Sequence, residues 1–152
     1  MSPHHSAPEP RSAHMCAAHV ETLVQAFLVC SEESTVPFTV RLSYTCSDPY
    51  AATVRFPTVD DRRAPTTWTF ARSLLEEGQR VTSGEGDVKV VPCGPDYTGL
   101  ELCSRAGRAL ILLSAHDLRG FVEATYRKVP AGSEHQFLDI DDDVSRLLGD
   151  TH

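Results

Sequence analysis

Val36-Pro37-Phe38-Thr39-Val40-Arg41-Leu42-Ser43-Tyr44 places an apolar or aromatic side chain at every second position. Successive side chains of an extended backbone point to opposite faces, so this period predicts a strand with one buried and one solvent face. Pro37 donates no backbone hydrogen bond, which suits a strand start or an edge. Asp48-Pro49 then predicts a turn, because Pro fixes φ and Asp bonds the local backbone. Upstream, Val20, Thr22, Val24, Ala26 and Leu28 alternate and predict a strand over Val20–Cys30, although a helix fits there too. Downstream, Ala52, Val54 and Phe56 alternate as a third strand. Asp60-Asp61-Arg62-Arg63-Ala64-Pro65 reads as a polar hairpin loop, and Thr66 to Thr69 as a fourth strand.

The period then changes. Phe70, Leu74 and Leu75 fall at i, i+4 and i+5, which predicts a short helix with Gly78 as its stop. Thr82 to Gly86 reads as a loop, Val88 to Val91 as a strand ended by Pro92, and Cys93 to Asp96 as a turn. Tyr97–Cys103 and Ala109–Leu113 predict a hairpin about Arg105-Ala106-Gly107. The main helix is predicted from Ser114, where Ser114-Ala115-His116-Asp117 resembles a capping box. Leu118, Phe121, Val122 and Thr125 follow at i, i+3, i+4 and i+7 as one buried stripe, and Val129-Pro130 ends it. Phe137 to Ile140 reads as extended. Val144, Leu147 and Leu148 predict a short C-terminal helix behind Asp141-Asp142-Asp143.

Strands in consecutive runs, each closed by a helix, predict an α+β fold with antiparallel sheets, two main helices and a short C-terminal helix. The chain has 152 residues, consistent with one domain over 19–150. Residues 1–18 are rich in Pro, His, Ser and Ala without a structural period and predict a disordered extension. That stretch lacks the apolar core of a signal peptide, and no apolar run reaches membrane-spanning length. Net charge is −7, which weighs against a nucleic-acid partner. Twelve of the fourteen cations are Arg, a skew that fits a GC-rich genome. Five widely spaced cysteines without a C-x-x-C pair fit a reducing compartment better than a disulfide framework or a zinc module.

Several residues invite a chemical reading and decline it. Ser114, His116 and Asp117 share one helix turn, whereas a catalytic relay converges from separate elements. Gly84-x-Gly86 lacks the third Gly and the Lys-Ser/Thr of nucleotide loops. Asp139-Ile140-Asp141-Asp142-Asp143 lacks the Gly and Glu offsets of a calcium loop. It reads instead as a solvated helix start or an acidic strip for a basic partner. The set His4, His5, His14, Cys16 and His19 has no metal-site spacing. For a protein interface, Trp68, Phe70, Arg72, Asp141, Asp142 and Asp143 are the candidates. Large aromatics and Arg concentrate at interface hot spots, although Trp68 also suits a core. Arg72 is expected to pair with Glu76 at i+4.

Read together, several stretches carry a resemblance. They are Leu42-Ser43-Tyr44, Asp48-Pro49-Tyr50-Ala51, Phe70-Ala71-Arg72-x-Leu74-Leu75-x-x-Gly78 and Gly84-x-Gly86-Asp87-Val88-Lys89-Val90. Val129-Pro130-x-Gly132-x-Glu134-His135 and Leu138-Asp139-Ile140-Asp141 follow. In this order and spacing the chain resembles the SsgA-like family of sporulation and cell-division regulators, from about Val20 to Leu148. The resemblance implies a whirly-like fold and assembly into homo-oligomers, trimers among them. It implies a non-enzymatic role without cofactor, metal or small-molecule substrate. The implied partners are division or cell-wall proteins, met in the cytoplasm and at division septa, without membrane insertion. Ser73 stands where the family commonly has Asp, Val91 where an aromatic is frequent, and Gly120 and Tyr126 in a helix usually rich in Ala and Leu. These departures mark a divergent paralogue. Whirly folds elsewhere bind single-stranded nucleic acid, which makes that the alternative function, although fold alone does not transfer it.

Overall fold

The computed structural model describes residues 19–57 and 66–138. Strands β1 (His19–Ser31), β2 (Ser34–Thr45), β3 (Ala51–Phe56) and β4 (Thr66–Ala71) lead into helix α1 (Arg72–Gly78). Strands β5 (Val88–Cys93), β6 (Tyr97–Ser104) and β7 (Gly107–Ser114) lead into helix α2 (Ala115–Lys128), and a single turn, α3 (Glu134–Phe137), follows. The seven strands make one antiparallel sheet in the order β4-β3-β2-β1-β7-β6-β5. Each half of the chain is therefore a meander of neighbouring strands. The halves meet where Ala26, Phe27 and Leu28 of β1 face Leu113, Leu112 and Ile111 of β7.

The alternation read in the sequence selects the buried face. Val24, Ala26, Val40, Leu42, Tyr44, Ala52 and Val54 are buried, as are Val90, Leu100, Leu102, Ile111 and Leu113 of the other half. Helix α2 covers this face with Leu118, Phe121, Val122 and Thr125, the stripe expected from its 3.6-residue period. The Ser114 hydroxyl accepts the Asp117 backbone N–H at 3.3 Å, so the predicted cap is made. The sheet curls: Phe56, Thr66 and Trp68 from one wing and Leu102 and Ile111 from the other line one cavity of about 450 Å³.

Four local expectations are corrected. Phe70 lies in β4, paired with Ala52, because β3 offers a strand partner through Ala71 and the period of two continues past Trp68. Helix α1 therefore starts at Arg72. Gly78 does not stop it, since Gln79 behind is still right-handed helical. It is required by packing instead: a Cβ there would sit 2.2 Å from Val90 Cγ1. Pro92 lies inside β5, opposite Thr98. β5 is an edge strand, where a missing N–H that faces outward costs no ladder bond. Phe137 closes the α3 turn instead of starting an extended segment, and Leu138 behind it is extended. Gly84 does carry a left-handed backbone, at φ 106°, in the loop between α1 and β5. The expectations for residues 1–18, 60–65 and 139–148 lie outside the described residues.

Candidate functional site

Helix α1 begins immediately after β4, and the Arg72 N–H donates to the Tyr50 carbonyl at 2.8 Å. This junction turns the Arg72 side chain into the protein, where it is 1 % exposed. Its guanidinium donates to the Thr125 carbonyl at 3.0 Å and to the Val129 carbonyl at 2.7 Å. Thr125 lies in the last turn of α2, where its carbonyl also accepts the Val129 N–H, and Val129 caps that end, where the helix dipole is negative. A third bond reaches Glu134 Oε2 at 2.9 Å, and Glu134 Oε1 accepts the Gly132 N–H at 2.8 Å. The Tyr126 ring lies 3.9 Å and the Tyr44 ring 4.9 Å from the guanidinium carbon, so aromatic faces flank the cation. Arg72 Nε is left without an acceptor among the described residues.

This cluster changes the acidity of its members. The hydrogen bond from Arg72 holds the Glu134 carboxyl below its ordinary range. Burial pushes the Tyr44 hydroxyl up to about 12, with Arg72 opposing part of the effect. Burial also raises Tyr126, again against Arg72. The Tyr44 hydroxyl donates to the Pro49 carbonyl at 2.9 Å and closes the turn ahead of β3. Arg72 and Glu134 are thus committed to holding α1, the end of α2 and α3 together. The expected Arg72–Glu76 pair is not formed; Glu76 pairs with Arg80 instead, because Arg72 points to the core and Arg80 to solvent.

Two further groups with chemical potential are described. Ser114 caps α2, which orients its hydroxyl toward the Asp117 N–H. Burial raises the Cys93 thiol and so disfavours a nucleophilic thiolate. Among the described residues, no group of three or more His, Cys, Asp or Glu is placed to hold a metal ion. No described helix is long and apolar enough to cross a membrane.

What remains is surface. A groove of about 780 Å³ runs between α1 and α2, with Val122, Tyr126 and Pro130 at its base and Glu76, Arg80, Arg119 and Glu123 along its sides. The cavity at the mouth of the curled sheet is a further concavity, and Trp68 lines it. The interface candidates do not converge. Trp68 is half-buried at the mouth, and Phe70 is half-buried against the core. Arg72 is enclosed by the helices and is unavailable to a partner. Asp141, Asp142 and Asp143 lie outside the described residues. The partners of Arg72 escaped the sequence reading because Thr125, Val129 and Glu134 follow it by 53 to 62 positions. The available signal was that Tyr44, Arg72 and Glu134 each sit inside a stretch that carried the resemblance.

The family model described as Streptomyces sporulation and cell division protein, SsgA, matches residues 38–134. The sporulation-specific cell division protein SsgB of Streptomyces coelicolor is 37 % identical over 127 residues, covering 82 % of this chain and 91 % of that protein. SsgB of Thermobifida fusca is 36 % identical over 124 residues, covering 80 % and 88 %. A solved SsgB structure, from work correlating SsgB mutations with longitudinal cell division during sporulation of Streptomyces coelicolor, superposes with a TM-score of 0.76. It is 35 % identical, with 82 % of this chain and 98 % of that chain covered. The crystal structure of an SsgA-like sporulation-specific cell division protein from Thermobifida fusca gives 0.75 at 34 % identity, covering 85 % and 95 %.

Proposed function

This chain belongs to the SsgA family of sporulation and cell division proteins, and from that premise we propose that it is a non-catalytic adaptor of sporulation-specific cell division. It acts in the cytoplasm, concentrated at septa, by bringing division or cell-wall proteins to the septum site and through spore maturation. It does so as a homo-oligomer. The observation that carries this reading is the match, over 80–82 % of this chain, to relatives named for sporulation-specific cell division. The commitment of polar groups to caps and packing supports it: the Ser114 hydroxyl on the Asp117 N–H, and the Arg72 guanidinium on the end of α2. A shape built from one sheet and two helices then leaves grooves and edges, not a reaction centre, as the working surfaces.

The test is live-cell imaging of a fluorescent fusion in the sporulating host beside a labelled division ring. Enrichment at septa or at future septum sites is the expected result, and its timing against ring assembly separates recruitment from later wall maturation. A diffuse or nucleoid-bound signal would refute the adaptor reading.

A further inference from the structure

The sheet has two edges, and the fold treats them differently. On β5, Val90 points its backbone outward, and Ser83 takes both groups: each N–H donates to the other's carbonyl at 2.9 Å. Pro92, two residues on, shares that outward phase and has no N–H to offer. Lys89, just ahead of Val90, adds a charge. Covering, Pro and Lys are the devices by which edges resist a foreign strand.

β4 carries none of them. Its residues are Thr66-Thr67-Trp68-Thr69-Phe70-Ala71, without charge or Pro. The bond from the Arg72 N–H to the Tyr50 carbonyl fixes the phase of the β3–β4 ladder. In antiparallel pairing, alternate residues direct their backbone groups to the same neighbour. Phe70 and Trp68 therefore bond to β3, and Thr67 and Thr69 direct N–H and C=O to the open side. No described residue takes these groups. Both threonine side chains are exposed on the convex face, where the hydroxyl of Thr69 meets that of Thr53 at 3.2 Å.

We propose that the open edge of β4 docks an extended, acidic segment of a partner protein, which adds to the sheet as an eighth strand. Backbone bonds to Thr67 and Thr69 supply the register of such an addition, and pockets for alternate side chains supply its selectivity. Inward side chains of the added strand enter the cavity of about 450 Å³ lined by Phe56, Trp68, Leu102 and Ile111, which selects apolar residues. Outward side chains pass Arg55, which stands in register with Thr67. Arg108 lies on the cavity rim. Neither Arg55 nor Arg108 has a carboxylate within ion-pair distance among the described residues. The net charge of −7 does not cancel this preference, because exposed charges farther than about 8 Å are largely screened at physiological salt. The segment therefore alternates apolar and acidic residues. This inference rests on the adaptor reading for its biological meaning and names the surface through which that role works.

The test uses the full-length protein and an end-blocked, fluorescein-labelled octapeptide of alternating Val and Glu, with alternating Val and Lys as control. The acidic peptide should give saturable anisotropy, and amide shifts in a two-dimensional NMR spectrum should concentrate on Thr66 to Phe70. Thr69→Pro removes one outward donor and should weaken binding about tenfold. The double variant Arg55→Glu, Arg108→Glu keeps the backbone and should transfer preference to the Lys peptide; it decides alone if Thr69→Pro misfolds by circular dichroism. Equal binding of both peptides to the unsubstituted protein, shifts away from β4, or binding indifferent to these variants overturns the proposal. So does self-association that Thr69→Pro abolishes, since the edge then serves a second copy. A septal fusion with failed peptide binding removes the edge proposal alone, whereas a fusion absent from septa removes the adaptor reading whatever the peptide does.

Discussion

Arg72 and Glu134, 62 positions apart, share a hydrogen bond of 2.9 Å that ties the first residue of α1 to the first residue of α3. The same guanidinium satisfies two carbonyls at the end of α2. Removing one member of a buried pair is costlier than the pair is worth, because the groups left behind are stranded away from water. Arg72→Met should therefore destabilise by about 3–5 kcal/mol in urea unfolding. Arg72→Lys should recover only part, since an ammonium cannot fork between two carbonyls and a carboxylate in this geometry.

Glu134 gives that seam an acid limit. Its carboxyl is held below the ordinary 4.5 by the bond from Arg72, so folding favours the ionised form. Its stabilisation is complete above the ordinary carboxylate range and is lost as pH falls through the lowered folded-state value. Glu134→Gln should cost about 1–2 kcal/mol at neutral pH, where the partial exposure of Glu134 discounts the pair. The same substitution should make the acid limb of a stability profile shallower. Urea midpoints of both proteins from pH 7 to 3 check this.

Tyr44 gives an alkaline limit of the opposite sign. Its hydroxyl is raised from 10.0 to about 12, so folding favours the protonated phenol. The contribution is complete below pH 10 and disappears as pH rises toward 12. Tyr44→Phe should cost about 1 kcal/mol at neutral pH through the lost bond to the Pro49 carbonyl. It should also flatten the decline between those values, leaving the smaller part due to Tyr126. Thermal unfolding against pH, with phenolate absorbance alongside, reads both effects.

Gly78→Ala should be disruptive although it replaces a helical glycine with a better helix former. The new Cβ would lie 2.2 Å from Val90 Cγ1 and 2.3 Å from Val90 Cβ, on a buried strand residue that cannot rotate clear. Overpacking of this kind costs about 1–3 kcal/mol. Adding Val90→Ala should restore only part of the loss, because the clash with Cβ remains. Denaturant midpoints of the single and double variants separate the two contacts.

Where side chains obey one period throughout an element, the sequence announced it. β1, β2 and the α2 stripe were legible for that reason, and so was the order of four strands, helix, three strands, helix. The β4–α1 junction was not, because Phe70 satisfies both a strand ending at Ala71 and a helix containing Leu74 and Leu75. Only the partner strand β3 decides it, and that is tertiary information. Arg72 failed for a related reason: Glu76 is its neighbour on an isolated helix, whereas the fold supplies Glu134 and two helix carbonyls. Its stretch stood out through the resemblance, but its inward direction was not legible. Pro92 and Gly78 looked like breakers, and their meaning depended on an edge and on Val90.

The seam between β1 and β7 sets the order in which this chain can assemble. Contacts inside each meander join neighbours along the chain, and such hairpins close in microseconds. The seam, three residue pairs wide, joins the first described strand to the last. Its closure must meet the entropy of a long loop before any bond rewards it, which makes high-contact-order pairing slow. Each half can therefore organise early, and docking of Ala26, Phe27 and Leu28 onto β7 is the step expected to gate the folding rate. Shortening either meander should leave that rate nearly unchanged, whereas weakening the three-residue seam should slow it directly.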